Sequence, residues 1–462
     1  MRKILRREPR NWSEAASARV YFSDLLMKYV RDNPEVWFNA KGYGDLLAVF
    51  LAFAFFFIVA LIDGSCIQFL NLSTYQRMYS TRLTRAFLGA TNSRRLRDSR
   101  KRDVTSLVPG DSISMGEYYS KYNCAPVHLI NATINKTIDW DSALVQRGSR
   151  GMSISVGPAG VTIGAKLGVL ECNWASATDI STPAKHVLRG RETSNIWLES
   201  LTLGDWIAIS GAAIGTGLGQ LTRRGYSLLM GIANIRLGYW WDTYSSPFRQ
   251  GAEKYPRTRV PLPTARKPQR YITERLFGTQ FCLLSELLGR FDGPRARRWN
   301  LSDGGHFENT GAYELLRRRL KFILIIDNGA DPDYRFDDVA NLIRRVRVDF
   351  GIEISEVGNT SSGHEQFSLN REVIAGSFND FKFDKELHGV RLITKFPDGE
   401  RGQIIVLKPR TSLDAPYDVR RYQGVSKHFP NESTADQFFD DVQWESHREL
   451  GYSQARMLLD TS

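Results

Sequence analysis

Asp303 is the residue around which chemistry can be assembled from this sequence. It stands in Ser302-Asp303-Gly304-Gly305, a carboxylate followed by two residues free to take positive φ, so the backbone can turn sharply while the side chain points away. A carboxylate so placed can cap the helix expected next. It can also act as a general base, if burial raises its basicity and a nucleophile lies within hydrogen-bond reach. The residues alone leave both readings open. His306 suits a polar or capping group at a helix start. Ser210 is the candidate nucleophile, in Ala208-x-Ser210-x-Ala212, where small neighbours suit a strained serine between a strand and a helix. Close packing of a helix on a sheet accounts for the same small residues. The glycines of 211–219 fit neither a dinucleotide loop, whose third glycine is out of place, nor a phosphate loop, whose terminal Gly-Lys-Ser or Gly-Lys-Thr is absent.

The elements that must hold Asp303 are written around it. Residues 308–319 carry Tyr313, Leu316 and Leu320 at helical spacing, and Arg317, Arg318 and Arg319 put cations at the negative end of the helix dipole. Residues 322–327 form a continuous apolar run ending in Asp327, which predicts a strand of a parallel sheet covered on both faces. Residues 206–210 read as a strand, followed by a glycine-rich turn and a helix over 221–237. Residues 126–215 alternate short apolar stretches with Gly, Ser and Asn, as strands and loops do, with Asn131 and Asn135 anchoring turns. A Pro-rich basic connector at 261–267 precedes a helix over 273–288. The acidic run 331–338 fails as a calcium loop, since Arg335 occupies a ligand position and the required glycine is missing. Instead Asp337 or Asp338 caps a helix whose stripe is Val339, Leu342, Ile343, Val346 and Phe350. Residues 390–396 and 403–409 flank Pro397-Asp398-Gly399 as a hairpin, and 411–462 is a helical tail.

The Asp303 segment closely resembles the Asp-Gly-Gly stretch of the patatin-like and cytosolic phospholipase superfamily, in particular its large bacterial membrane-associated members. Residues 129–135, 209–213 and 429–439, with Glu445-Ser446, are similar to the same proteins in the same order. The resemblance covers roughly residues 70–455. It implies an α/β chain, part of a three-layer α/β/α hydrolase fold, in which Asp303 is half of a Ser-Asp dyad cleaving lipid acyl esters and needing no cofactor or metal. The family's serine lies on a Gly-x-Ser-x-Gly turn, and no such turn occurs in these residues. The expectation is a carboxy-terminal half, with serine and oxyanion hole supplied by a second chain or an upstream segment. The alternative is a non-catalytic membrane-anchored scaffold that binds lipid or a partner.

Composition sets the setting. The 462 residues are 42% hydrophobic and 24% charged, a folded balance, with net charge +12. Cys66, Cys124, Cys172 and Cys282 form no Cys-x-x-Cys pair, which argues against a zinc site or a disulfide framework. Residues 1–45 are basic, lack the apolar core of a cleavable leader, and include an amphipathic helix expected at 13–29. Residues 46–62 are 17 uninterrupted apolar residues with five phenylalanines, a segment long enough to be expected as a membrane helix. The basic segment 63–125 follows. Its Arg94, Arg95, Arg97, Arg100, Lys101 and Arg102 put six cations in nine residues, which predicts contact with anionic headgroups and places the bulk of the chain on the cytoplasmic side. Nothing in the sequence resembles a nucleic-acid-binding motif. The expected catalytic region is 126–410.

Overall fold

The computed structural model describes residues 43–97, 107–121, 126–138, 150–165, 201–242, 276–357 and 369–459, save 66, 159, 297, 371 and 434–439. It also describes residues 28 and 32 and the strand segments 169–171, 185–188 and 191–194. The helix expected at 13–29, apart from Lys28, lies outside these residues, as do the connector 261–267 and Arg100, Lys101 and Arg102. The chain divides into two compact units, one of 1–67 with 267–281 and one of 68–266 with 282–462.

In the first unit the apolar run folds as the helix Tyr43–Ser65. Gly64 is required there, because a Cβ would lie 2.0 Å from the Leu276 carbonyl oxygen. Gln280 Nε2 donates to the Ala60 carbonyl at 2.9 Å, and the Phe57 and Phe277 rings meet edge to face. Elsewhere the helix leaves Phe50 and Phe53 67% and 73% exposed. Among the described residues no helix is long and apolar enough to cross a membrane. The apolar run expected at 46–62 is found as a helix with exposed apolar side chains.

The second unit is mixed α/β, built on two sheets. Six strands run in the order β4 (Val169–Glu171), β3 (Gly160–Ile163), β2 (Gly151–Gly157), β1 (Ile130–Asn135), β8 (Arg298–Asp303) and β7 (Tyr239–Asp242). Every neighbouring pair is antiparallel. Strands β5 (Lys185–Leu188) and β6 (Arg191–Ser194) form a separate hairpin. Asn131 and Asn135 therefore sit in the central strand β1, from which the Asn135 side chain still holds a turn by accepting the Gly219 N–H.

The strand expected at 206–210 is a helix, Leu203–Ser210. Its N-terminus explains why: the Thr202 side chain accepts from the Asp205 N–H at 3.2 Å while Asp205 accepts from the Thr202 N–H at 3.1 Å. A short apolar run does not by itself separate strand from helix, and the Thr-x-x-Asp capping signal decides it. The helix buries Trp206 and Ile209 with Ile134, Ile154 and Leu301 of the six-stranded sheet. The helix expected at 221–237 is shorter, Arg224–Ile232, and that expected at 273–288 is Gly278–Leu288.

The second sheet runs β10 (Glu353–Glu356), β12 (Gly389–Lys395), β13 (Arg401–Leu407), β9 (Phe322–Ile326), with β11 (Ile374–Ala375) also paired to β12. The hairpin across 390–409 forms as expected. Strand β9 pairs in parallel with β13 but has no other neighbour among the described residues, so the fully covered parallel strand expected there is corrected. Ile323 and Ile325 are buried while Leu324 and Ile326 on the opposite face are exposed. The apolar run hid a period of two because both faces are hydrophobic. At its end, the buried Lys408 Nζ binds Asp327 Oδ2 and the Gly329 carbonyl, each at 2.9 Å.

The helix Asp337–Phe350 carries the expected stripe, with Val339, Leu342 and Val346 buried. Its lead-in differs from expectation. Neither Asp337 nor Asp338 is the N-cap; Phe336 is, in the left-handed region, while the Asp331 carboxylate accepts the N–H groups of Arg335 and Phe336 at 2.9 Å each. The tail forms the helices Tyr417–Val425 and Asp441–Leu459, joined by Val419, Phe429 and Leu450.

Candidate active site

Strand β8 carries Asp303 to the edge of a cavity. Ala132, Thr133 and Ile134 of β1 pair with Asp303, Ser302 and Leu301, so the carboxylate leaves the sheet beside Asn131. A 3₁₀ turn, Gly304–His306, follows, and Asp303 Oδ1 accepts the Gly305 N–H at 2.6 Å. Asp303 thus caps this short turn, and the longer helix begins only at Ala312, as Ala312–Arg317. Burial pushes its carboxyl up to about 6, and the Gly305 N–H opposes that rise only in part.

The two glycines are needed for space. Neither Gly304 nor Gly305 has a positive φ; a Cβ on Gly304 would lie 2.9 Å from the Asn131 carbonyl oxygen, and one on Gly305 2.4 Å from Asn309 Oδ1. The Asn131 obstacle is backbone held in a central strand. Gly304→Ala is therefore expected to cost about 1–3 kcal/mol by forcing β1 and β8 apart. Gly225→Ala, where a Cβ meets nothing within 4 Å, is expected to be neutral or to stabilise by up to about 1 kcal/mol in its exposed helix. Denaturant unfolding of the two variants checks the contrast.

Behind the turn, a polar network holds the loop in place. Asn135 Nδ2 donates to Asn300 Oδ1 at 2.7 Å and to Ser302 Oγ at 3.0 Å, and Asn135 Oδ1 accepts the Gly219 N–H at 2.8 Å. His306 extends the chain, with Nδ1 3.0 Å from Ser302 Oγ and Nε2 3.2 Å from the Ala213 carbonyl. Burial lowers the imidazole to about 4, so it is neutral near pH 7. A carbonyl only accepts, which makes Nε2 the donor and leaves Nδ1 to accept from Ser302. His306 is thus a structural link between loops. The small residues of 211–219 fit the same network: a Cβ on Gly217 would meet Asn135 Nδ2 at 2.5 Å, and one on Gly219 the His306 carbonyl oxygen at 2.4 Å.

Ser210 lines the same 490 Å³ cavity as Asp303. The strand-to-helix elbow expected for it is not formed, because it closes the helix Leu203–Ser210. A helix C-terminus presents carbonyls, the wrong polarity for an oxyanion beside a serine. Three further residues line the cavity, of which the sequence singled out only Asn131, and that as a turn anchor. The Tyr79 hydroxyl lies 3.0 Å from where a Gly211 Cβ would stand, and burial followed by the charge of Asp303 raises its pKa. Glu308 is buried, accepts the Thr310 N–H and hydroxyl at 2.6 Å each and the Tyr313 N–H at 3.3 Å, and so fixes the loop ahead of Ala312–Arg317. Asn131 has a buried side-chain oxygen with no hydrogen-bond partner. No local sequence pattern marks Tyr79, which reaches the cavity from a helix more than 200 positions away.

The basic cluster divides. In the helix Ser93–Arg97, Arg94 and Arg97 are exposed. Arg95 is buried and paired with Asp111, its Nε 3.0 Å from each carboxylate oxygen. The headgroup role expected of Arg95 is therefore corrected: its guanidinium is spent inside the fold. Among the described residues, no group of three or more His, Cys, Asp or Glu side chains is placed to hold a metal ion.

No family model, no curated protein and no solved structure matches the chain.

Proposed function

We propose that the chain supplies the general base of a membrane-associated lipid acyl hydrolase, in the manner of the patatin-like dyad that the Asp303 segment resembles. The observation that carries the reading is the seat of Asp303: a largely desolvated carboxyl, raised to about 6, facing a cavity of 490 Å³ from the end of a rigid strand. A carboxylate of that basicity is still ionised at pH 7 and accepts a serine proton more readily than an ordinary aspartate does. As serine Oγ attacks an ester carbonyl, Asp303 takes its proton, and the tetrahedral oxyanion then needs two N–H donors. A Gly-x-Ser-x-Gly turn from a second chain or an upstream segment would bring both the serine and those donors. The three-layer α/β/α arrangement belongs to this proposal.

Membrane association rests on exposed apolar surface. The phenylalanines of Tyr43–Ser65 support it, as do Leu229 and Ile232, exposed beside Arg223 and Arg224 on the helix Arg224–Ile232. Apolar side chains next to cations suit an anionic lipid surface. The cytoplasmic placement rests on the basic cluster.

The second reading, a non-catalytic lipid- or partner-binding scaffold, is favoured by one observation: Ser210, the serine in the cavity, closes a helix and has no elbow. The test is hydrolysis of a fluorogenic acyl ester by membranes carrying the full chain, with and without its upstream neighbour, meaning the adjacent reading frame if it encodes a Gly-x-Ser-x-Gly turn, beside Asp303→Ala and Ser210→Ala. The proposal expects activity that needs the neighbour, disappears in Asp303→Ala and persists in Ser210→Ala. Activity of the chain alone that requires Ser210 would restore the elbow. Inactivity in every combination would leave the scaffold.

A further inference from the structure

Two segments of the second unit, 221–235 and 282–290, lie side by side and antiparallel. A Cβ on Gly231 would stand 2.7 Å from Leu287 Cδ2, and one on Gly289 2.8 Å from Ser227 Oγ, so the helix Arg224–Ile232 meets the last turns of Gly278–Leu288 in reverse order. Inside the pair, Arg236 Nη1 donates to Oε2 of the buried Glu286 at 2.7 Å, and Trp240 Nε1 to its Oε1 at 2.7 Å. Outside it, apolar side chains face water. Leu229 and Ile232 are 62% and 73% exposed, and Leu228, Leu284 and Leu288 are exposed as well. Leu228 is one turn from Gly231 and Leu284 one turn from Leu287, so the exposed leucines border one seam.

Cations gather at one end of that seam. Arg223 and Arg224 open the first helix and Arg290 follows the second, and all three are exposed. A Cβ on Gly289 would also lie 3.5 Å from Thr222 Cγ2, which brings these termini together. None of the three arginines is in an ion pair with a described residue, unlike Arg95. Across 221–235 and 282–290 the sole acid is Glu286, buried against Arg236. The exposed surface of the pair is therefore apolar and cationic, without an anion.

We infer that this helix pair is a docking surface for one leaflet of an anionic bilayer, a second attachment independent of the apolar helix Tyr43–Ser65. The exposed leucines and Ile232 enter the acyl region, and Arg223, Arg224 and Arg290 meet lipid phosphates at its border. A leaflet supplies apolar chains and phosphates in the order in which the pair presents their complements. A second copy seated on the leucines through the same surface would bring no anion to the arginines. The inference rests on the membrane part of the proposed reading and needs no hydrolysis.

Vesicles of phosphatidylserine and phosphatidylcholine, with a photoactivatable diazirine on one acyl chain, are mixed with the full chain, and crosslinked peptides are mapped by mass spectrometry. The wild-type chain is expected to crosslink within 221–235 and 282–290. Ile232→Gln, at an exposed side chain, is expected to lower those crosslinks about tenfold, and Ile232→Leu to keep them. Arg223→Gln together with Arg224→Gln is expected to lower them about tenfold at low salt, with the loss shrinking in high salt. Crosslinks within 43–65 serve as the reference and should not change in any variant. Crosslinks confined to 43–65 would overturn the docking surface and leave membrane association standing, whereas crosslinks nowhere would overturn both. Crosslinks at the pair that are unaffected by Ile232→Gln would also overturn it, as would a wild-type dimer that Ile232→Gln separates, since a second copy would then cover the leucines. The expected pattern in a chain that hydrolyses no ester would sustain the inference while the hydrolase reading fails.

Discussion

Asp303→Asn is expected to stabilise the folded chain by about 1–3 kcal/mol at pH 7 while lowering ester hydrolysis about 10²–10⁴-fold. Both effects have one origin. Burial raises the carboxyl from 3.8 to about 6, so between those values the folded chain holds a proton that the unfolded chain has released. A raised acid contributes stability that is fully present below its unfolded value and is lost as pH rises through its folded value, about 3 kcal/mol by pH 7 for a shift of this size. Asparagine carries no charge to desolvate and can still accept the Gly305 N–H. The stability gained by the variant should therefore shrink as pH falls through about 6 and vanish below 3.8. His306 acts with the opposite sign. Its imidazole is lowered from 6.5 to about 4, so its contribution is present above 6.5 and is lost as pH falls. For that reason the difference between wild type and Asp303→Asn is the quantity to follow, by denaturant unfolding from pH 4 to 8. A carboxylate that destabilises its fold in order to be basic is what a catalytic role would select; a solvated aspartate that served only as a cap should change little in stability on the same substitution, because asparagine caps as well.

Arg95→Ala is expected to cost about 3–5 kcal/mol, because it leaves Asp111 as a buried charge without its counterion. Desolvation alone would raise Asp111; hydrogen bonds from Arg95, the Val108 N–H and Asn92 outweigh it and hold the carboxyl down at about 2. Arg94→Ala and Arg97→Ala should do the reverse. On exposed side chains they should change stability by no more than about 0.5 kcal/mol, yet each should weaken binding to phosphatidylserine vesicles by about 1 kcal/mol, with the loss shrinking in high salt. Unfolding and vesicle sedimentation on the three variants separate the two kinds of arginine. If Arg95→Ala left stability intact and weakened vesicle binding instead, the buried pair would be wrong.

That division of one basic run shows where the sequence was legible. Charge density announced six cations in nine residues, but the burial of Arg95 depends on Asp111, 16 positions on, which no local pattern pairs with it. The stripe of Asp337–Phe350 and the hairpin of 389–407 were readable because period and turn chemistry are local. Strand β9 was misread because both of its faces are apolar, so an edge strand looked like a buried one. Asp303 stood out through the two glycines after it, although the reason for them proved to be the Asn131 carbonyl and the Asn309 amide, and no positive φ. Tyr79 became visible, and Asn131 took its place beside Asp303, only once the antiparallel pairing of β1 with β8 and the packing of distant helices had brought them to one cavity. Asn131 lay inside a segment singled out by resemblance, but its unpartnered oxygen is a property of the fold.

The measurement that tests the central claim most directly is a carbon NMR titration of the full chain labelled at its aspartate carboxyls, with Asp303→Asn used to assign the resonance that disappears. The account predicts that this carboxyl titrates near pH 6. A resonance lost in Asp303→Asn that titrates below about pH 4.5, as a solvated aspartate does, would contradict it and remove the physical basis for a general base at this position.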